Sequence, residues 1–569
     1  MKSKLLLLGW TTALMASAAF ATQAAQQLPG CAGLAAQLLA NKDISAATSA
    51  VQAATATDKS YCLVNITVSA LSGPKDGYLP GQKQMVKVAI GLPLSTADGG
   101  SGGVQGSWNG RIQDIGGGGF AGAIGSGGPI TPAVDTGYAS SSTDTGHSAS
   151  DNGGGAAGGA FALNPDGTLN WGKIRDFAFN GIHEQSIWTK NLVQMYYGRK
   201  PQYSYWNGCS TGGRQGHQQA QKYPDQYDGI LAGDSAFNWD RFIPAELWTQ
   251  VVQKQEAGGQ IAFAKLNAAT QAAIAACDGL DGIPDGVIQE PRACRFSARS
   301  LVCKGQPSDS ATCLTAGEAS AIDKTWNGVI ENGIIRDWFG LERGTPLVAG
   351  PFGIALPSSP FGISTDWFQY WVFQNPAFDW HTFTEASFIQ AMKQGEIKFH
   401  DVIGTDDPNL SPFRERGGKM ITYHGLADEL IFPRGTYNYY NRVAERAGGL
   451  KNVQKFYRFF PYPGGNHCTG DIGQPNAPLV NANDLFQALV NWVEHGAAPD
   501  SIVAYNNPDK TQATVSRPIC KYPDKLIFKG GNTNVASNFF CQHQEQDDFL
   551  LTDIVVPDIG AIKDILSER

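Results

Sequence analysis

Charge is scarce in this chain of 569 residues: only 17% of them are charged, and the net charge is −8. No run of Lys or Arg occurs, so the basic patch that nucleic-acid binding needs is missing. No internal repeat of solenoid period occurs either. The sequence therefore argues against a nucleic-acid partner and against a repeat protein, and its length exceeds a single ordinary core.

The N-terminus has the three parts of an export signal. Lys2 and Lys4 form a charged start, an apolar stretch extends to Phe20, and a small-residue cleavage site ends at Ala21. A membrane anchor is the alternative, but polar residues interrupt the stretch and no second span follows. We predict a signal peptide over residues 1–21, a secreted or periplasmic protein, and no membrane association after cleavage.

Ten cysteines in an exported chain predict five disulfides. Close spacing favours four pairs, which are Cys31–Cys62, Cys277–Cys294, Cys303–Cys313 and Cys520–Cys541. Cys209 and Cys468 remain, either as a fifth pair or as two buried free thiols.

Short apolar runs predict buried strands at 203–206, 229–233, 420–423 and 456–460, and residues 183–198 have helical spacing. Gly208–Gly212 reads Gly-Cys-Ser-Thr-Gly after the first of these runs. A Gly-x-Ser-x-Gly turn between strand and helix is the nucleophile elbow of α/β-hydrolases. A glycine-rich turn is the alternative, but the flanking elements favour Ser210 as a nucleophile.

A serine nucleophile needs a histidine base and a carboxylate that orients the histidine, in the chain order Ser, Asp, His for this fold. Asp428 and His467 both follow strand-like runs, and both come after Ser210. Each has an ordinary alternative, since Asp428 could cap a helix and His467 could lie in a surface loop. Their order favours a catalytic triad.

The tetraglycine Gly116–Gly119 follows an early strand-like segment. An oxyanion hole takes one N–H from the residue after the nucleophile, here Thr211, and one from such a glycine-rich loop. A flexible linker is the alternative.

Ser210 and Asp428 lie too far apart for one strand–helix crossover, so an insertion must separate them. We predict a catalytic domain in two parts, 22–235 and 411–569, and an aromatic-rich lid over 236–410. Most of the aromatic residues are expected to form the lid's own core.

The insertion contains an aspartate-rich loop. Asp278, Asp281 and Asp285 are separated by glycines, and the carbonyls of Ile283 and Val287 could supply further oxygen ligands. Hard oxygen donors suit Ca²⁺, although the spacing is not that of an EF-hand. A solvated array of turns is the alternative.

Together these motifs resemble the tannase and feruloyl esterase family, which includes mono(2-hydroxyethyl) terephthalate hydrolases. The motifs are Trp108–Arg111, Gly208–Gly216, Tyr223–Gly229, the aspartate loop, Gly417–Asp428 and Gly465–Cys468. The resemblance implies an α/β-hydrolase core with an inserted lid that binds structural calcium. It also implies a Ser210–His467–Asp428 triad, a Cys209–Cys468 disulfide, and oxyanion N–H groups from Gly119 and Thr211.

The lid stretch Ala349–Trp367 is apolar and lacks Lys and Arg. A terephthalate monoester carries a free carboxylate that would favour an arginine there. We therefore expect a secreted serine esterase for small feruloyl or galloyl esters, free or attached to a plant polysaccharide or polyphenol, with Phe361 and Trp367 in the substrate site. The alternatives are a terephthalate monoester hydrolase, a serine peptidase, and a non-catalytic calcium-stabilised binding protein.

Overall fold

The computed structural model of the chain describes residues 28–69, 78–79, 82–102, 105–152, 158–305, 311–333, 335–348, 360–468, 473–474 and 476–549. The predicted signal peptide, 1–21, lies outside these residues. Among the helices described, none is both long and apolar enough to cross a membrane.

The strands are β1 Ile44–Gln52, β2 Tyr61–Val68, β3 Val86–Pro93, β4 Arg111–Ile115, β5 Ser140–Thr143, β6 Tyr203–Cys209, β7 Gly229–Gly233, β8 Val329–Glu331, β9 Ile335–Trp338, β10 Lys419–Gly425, β11 Tyr457–Tyr462, β12 Ser501–Tyr505, β13 Ser516–Cys520, β14 Lys525–Phe528 and β15 Phe539–Gln542. The helices are α1 Cys31–Leu39, α2 Thr131–Asp135, α3 Trp171–Arg175, α4 Gly181–Tyr197, α5 Thr211–Lys222, α6 Trp239–Ala257, α7 Phe263–Cys277, α8 Ala316–Asn327, α9 Gly362–Asp366, α10 Glu385–Ile403, α11 Ser411–Glu415, α12 Pro433–Arg446, α13 Leu450–Val453 and α14 Ala482–His495.

A parallel sheet in the order β11-β10-β7-β6-β4 forms the centre of the molecule. The strands predicted from the apolar runs are confirmed, and the fold is the α/β-hydrolase type. In the register, Cys209 pairs with Gly233, and Gly425 pairs with Tyr462. The carboxyl ends of the central strands therefore meet at one edge, where the functional loops begin.

Both faces of this sheet are buried, which explains why its strands are apolar runs rather than alternating patterns. Successive residues of each strand point to opposite faces of the sheet, and each face has its own apolar core. Trp206, Ile230, Met420 and Phe459 pack on one side, in a cluster that includes residues of α12. The residues next to them, Tyr205, Leu231, Ile421 and Phe460, pack on the other side in a cluster with α14.

An antiparallel sheet in the order β1-β2-β3-β5 lies beside β4 and is linked to it by a bridge between Ile112 and Ala139. Its buried residues share a core with α4 and α1. The Cys31–Cys62 disulfide joins α1 to β2 in that core.

The insertion lies between β7 and β10, which are adjacent strands of the central sheet. Its helix α6 packs against α8 and α10. One apolar cluster joins the insertion to the catalytic part, since it contains Phe120 as well as Trp239 and Trp371. The domain limits 236–410 stay a prediction, but elements of the insertion do contact the loop that follows β4.

Candidate active site

Ser210 occupies a sharp turn between β6 and α5. Its backbone has φ 61° and ψ −125°, and a positive φ of this kind is strained for a residue other than glycine. Its N–H donates to the Gly233 carbonyl at 3.0 Å, which holds the turn against the end of β7. The residue is partly exposed, unlike the buried Thr211 that follows it.

The glycines around Ser210 are required by close backbone approach. A Cβ on Gly208 would lie 2.6 Å from the Gly212 carbonyl carbon. A Cβ on Gly116 would lie 2.4 Å from the Gly212 Cα, because the tetraglycine loop crosses directly over the turn. The elbow and the glycine-rich loop therefore form one packed unit.

Asp428 and His467 are brought together as predicted. Nδ1 of His467 lies 2.9 Å from Oδ2 of Asp428, and both side chains are buried. The other carboxylate oxygen of Asp428 accepts the N–H groups of Leu430 at 2.8 Å and Ile431 at 2.9 Å. The carboxylate is thus fixed by its own loop and orients the histidine ring.

Burial and charge oppose each other at this pair. Burial raises the pKa of the Asp428 carboxyl, but the charge of His467 and hydrogen bonds from His467 and His424 lower it below its ordinary value. Burial lowers the pKa of His467, but the Asp428 charge raises it above the ordinary histidine value. Asp428 is therefore ionised at neutral pH and favours the imidazolium form of His467.

The Cys209–Cys468 disulfide joins the loops of Ser210 and His467, with 5.9 Å between the two Cα atoms. Each cysteine is the direct neighbour of a predicted triad residue, so the bridge holds the loop of Ser210 and the loop of His467 side by side. The alternative of two free thiols is wrong. The four pairs predicted from spacing are confirmed as well.

Gly119 and Thr211 lie next to each other, since the Thr211 hydroxyl donates to the Gly119 carbonyl at 2.6 Å. Gly119 has φ 55°, which a glycine adopts without strain. Two further residues hold the loop, because Gly117 N–H donates to Gln215 Oε1 at 2.8 Å and His147 Nε2 donates to the Phe120 carbonyl at 2.7 Å. The role of the Gly119 and Thr211 N–H groups as oxyanion donors stays a prediction, but these hydrogen bonds fix the loop in position for such a role.

The aspartate loop folds over Asp278. Oδ1 of Asp278 accepts the N–H groups of Asp285 at 3.1 Å and Val287 at 3.2 Å, while Asp281 accepts the N–H of Ile283 at 2.9 Å. Partial burial and the charges of Asp285 and Asp278 raise the pKa of Asp281. The loop therefore gathers carboxylates that repel one another, and all its donors are oxygens, as a hard cation requires.

Within the described residues, two groups of His, Cys, Asp or Glu have three ligand atoms within 4.8 Å of one another, and neither lies in the aspartate loop. One consists of Asp234 with the disulfide-bonded Cys209 and Cys468. The side chains of the loop are bonded to its own backbone, and Asp285 Oδ2 also pairs with Arg517 at 2.8 Å. Ligation of one ion by these three carboxylates would therefore need their oxygen atoms to move closer together.

Of the two residues predicted to contact substrate, Trp367 lies in the core of the insertion. It is fully buried and stacks on Trp371 with 5.2 Å between ring centroids. Phe361 is half-buried at the start of α9 and packs against the same cluster. Residues 349–359 of the stretch lie outside the described residues, and contact of Phe361 and Trp367 with substrate stays a prediction.

Sequence reasoning missed three buried groups around the Asp428–His467 pair. They are Asp234 after β7, His424 in β10, and Glu429 beside Asp428. Glu429 Oε2 accepts the His467 N–H at 3.4 Å, and burial together with the Asp428 charge raises the pKa of Glu429 to about 7. Only the spacing of His424, four residues before Asp428, was a signal available in the sequence.

Comparisons with known proteins show the family to which the chain belongs. The family described as "Tannase and feruloyl esterase" matches residues 104–542. A "Probable feruloyl esterase" of Arthroderma benhamiae is 35% identical over 493 residues, which cover 84% of this chain and 85% of that protein. A "Probable feruloyl esterase B-2" of Neosartorya fischeri is 32% identical over 451 residues, covering 76% and 82%.

Solved structures show the same similarity. The crystal structure of feruloyl esterase B from Aspergillus oryzae matches with a TM-score of 0.74 and 25% identity, covering 90% of this chain and 99% of that one. Tannin acyl hydrolase from Aspergillus niger matches with a TM-score of 0.74 and 22% identity, covering 90% and 93%, and shows the fold alone.

Proposed function

The chain belongs to the tannase and feruloyl esterase family and is a carboxylic ester hydrolase, and we propose that it is a serine esterase with Ser210 as its nucleophile. One observation carries this proposal. Ser210 lies on a strained elbow whose neighbouring cysteine is bridged to the neighbour of His467, and His467 is bonded to Asp428. Family membership favours ester hydrolysis over the binding-protein and peptidase alternatives.

The proposed reaction follows from the roles of these groups. Ser210 Oγ attacks the ester carbonyl carbon, and its proton passes to Nε2 of His467, since Nδ1 is bound to Asp428. The N–H groups of Gly119 and Thr211 stabilise the oxyanion. The C–O bond to the alcohol then breaks, the alcohol takes the proton from His467, and water hydrolyses the acyl-enzyme by the same steps.

For the substrate we propose small aromatic esters of the feruloyl or galloyl type, free or attached to a plant polysaccharide or polyphenol. The names of the relatives support the feruloyl acyl group. The stretch 349–367 offers no Lys or Arg for a free carboxylate.

A panel of three esters tests this specificity. We expect kcat/KM for methyl ferulate or methyl gallate to exceed that for mono(2-hydroxyethyl) terephthalate by about tenfold or more, since a buried carboxylate without a cationic partner is costly. The measurement is initial rate against concentration for each ester under the same conditions. A terephthalate monoester that is hydrolysed fastest would establish the alternative specificity instead.

We further propose that the protein is exported, to the periplasm or the medium. The N-terminal charged and apolar segments support a signal peptide. The five disulfides support an oxidising compartment, because thiols of cytosolic proteins are kept reduced.

We propose a structural Ca²⁺ at the aspartate loop, held by Asp278, Asp281 and Asp285 with the carbonyls of Ile283 and Val287. Three acidic side chains within one short loop and an all-oxygen donor set fit this ion. The Cys277–Cys294 disulfide brackets the loop and limits its opening. The serine mechanism already has its nucleophile, base and oxyanion donors, so the ion is assigned to stability.

Removal of calcium is expected to lower the melting temperature by about 2 °C, because an ion present at a hundredfold excess over its Kd stabilises the folded state by about 2.7 kcal/mol and a chain of this length has a large unfolding entropy. Turnover of a small aryl ester at low temperature should stay within about twofold. The double variant Asp278→Asn/Asp281→Asn is the control and should melt at one temperature with or without calcium. Equal melting temperatures of the metal-free and calcium-loaded wild type would contradict the site.

A further inference from the structure

A second histidine, His424, contacts the carboxylate of Asp428. His424 lies near the end of β10 and is fully buried. Its Nε2 lies 3.2 Å from Asp428 Oδ2, the same oxygen that Nδ1 of His467 contacts at 2.9 Å. One carboxylate oxygen, Oδ2 of Asp428, therefore lies within hydrogen-bond distance of two imidazole rings.

The other contacts of His424 determine which nitrogen carries a proton. Nε2 lies 2.9 Å from the carbonyl oxygen of Ile431, which can only accept a hydrogen bond. Nε2 is therefore protonated and donates toward both Ile431 and Asp428. Nδ1 lies 2.7 Å from the hydroxyl of Thr436, which can donate or accept, so the ring is accommodated whether it is neutral or charged.

Asp234 extends this contact to the base loop. It is fully buried after β7, and its Oδ1 accepts the Gly425 N–H at 2.8 Å and lies 3.8 Å from His424 Nε2. Its Oδ2 accepts the N–H of Cys468 at 3.2 Å. Asp234 thus joins the end of β10, the residue after His467 and the side chain of His424.

Buried acids from several elements surround the contact between His424 and Asp428. Asp234 follows β7, Asp428 and Glu429 follow β10, and Glu246 of α6 interacts electrostatically with Asp428. Burial lowers the pKa of His424, but its bond to Asp428 and the charges of Asp234 and Asp428 raise it above the ordinary value. Burial raises the pKa of Asp234 to about 6.

We propose that His424 is a positioning residue for catalysis: its Nε2–H holds Asp428 Oδ2 in place for His467, and Asp234 couples it to the base loop. The inference rests on the proposed serine mechanism. A carboxylate with one fixed oxygen could still rotate its second oxygen away from the base, and His424 prevents that rotation from the buried side. Its donation also withdraws charge from the carboxylate and so moderates the basicity of His467.

His424→Phe tests the proposal, because phenylalanine fills similar space and has no N–H to donate to Asp428. We expect kcat to fall about tenfold to a hundredfold with KM within twofold. The acidic limb of the kcat/KM profile should move to higher pH. Without His424, more of the Asp428 charge acts on His467, whose pKa then rises, so its base form appears only at higher pH.

The measurement is kcat and KM across the pH range, normalised to the sites that a fluorophosphonate labels, so that misfolded protein is not counted. His400→Phe is the matched control, since His400 also contacts two carboxylates, Asp240 at 2.9 Å and Asp406 at 3.4 Å. This control variant should leave the acidic limb of the kcat/KM profile at its wild-type pH. Melting temperature shows whether each variant is folded.

An unmoved limb with kcat within twofold of wild type, or a limb that moves to lower pH, would overturn the inference. If His424→Phe does not fold, Thr436→Val removes the Nδ1 partner of His424 while keeping the imidazole, and a smaller shift in the same direction is expected. An unmoved limb there would overturn the inference as well. A wild type that takes no label at Ser210 would instead refute the proposed function.

Discussion

Ser210→Ala is expected to lower kcat by about 10⁵-fold or more while KM changes little, since the variant keeps the binding groups and loses the attacking atom. The fold should persist, because the Ser210 backbone N–H, not its hydroxyl, bonds to the Gly233 carbonyl. A fluorophosphonate should add its mass to wild-type protein at Ser210 and leave the variant unlabelled. Activity and intact mass on the same samples provide the measurement.

Ser204→Ala is the control for this experiment. Ser204 is buried in β6, six positions before the elbow, so its loss tests the strand without touching the nucleophile. It should be labelled and should turn over like wild type. Retention of more than about 1% of kcat in Ser210→Ala would show that another group attacks the ester.

The elbow could be predicted from sequence because its causes are local. Gly208 and Gly212 are glycines since a Cβ on either would meet the backbone of the turn or of the loop above it. The strands were predictable for a related reason, as a strand buried on both faces must be a short apolar run. Such constraints appear within a few residues of each other and need no knowledge of the rest of the chain.

The groups that support Asp428 could not be predicted in this way. Asp234 and His424 are far apart in sequence, and only the parallel pairing of β7 with β10 brings their loops together. His424 also looks like any other residue of a predicted strand, because the alternation of polar and apolar residues does not distinguish a buried histidine that supports a site from one that only packs. The contacts depend on register, which the residues of one strand alone do not determine.

Trp367 illustrates the opposite difficulty. An aromatic residue in a lid has the same sequence signature whether it lines a pocket or fills a core. Here the ring stacks on Trp371 and meets Phe399 with 5.2 Å between centroids, so most of its surface is used within the insertion. Composition could predict that the insertion has its own core, but not which aromatic rings face a ligand.

The double variant Cys209→Ala/Cys468→Ala is expected to fold and to lose about a hundredfold in kcat. The bridge spans 259 residues, and a loop of that size contributes about 5 kcal/mol to stability in the chain-entropy model. Its effect on catalysis has a separate cause. It links the residue before Ser210 to the residue after His467, and a displacement of about 1 Å between reacting groups can cost about a hundredfold in rate.

Two contacts would remain in that variant and should limit the damage to the fold. The backbone N–H at position 468, which the substitution keeps, still donates to Asp234, and His467 still forms its hydrogen bond with Asp428. Removal of Cys303 and Cys313, which close a loop of 10 residues in the insertion, is the matched control and should leave kcat within twofold. Both variants are compared by kcat, KM and melting temperature. If the Cys209/Cys468 variant melts lower but keeps wild-type kcat at low temperature, the bridge serves stability alone, and Asp234 with Asp428 is sufficient to position the base.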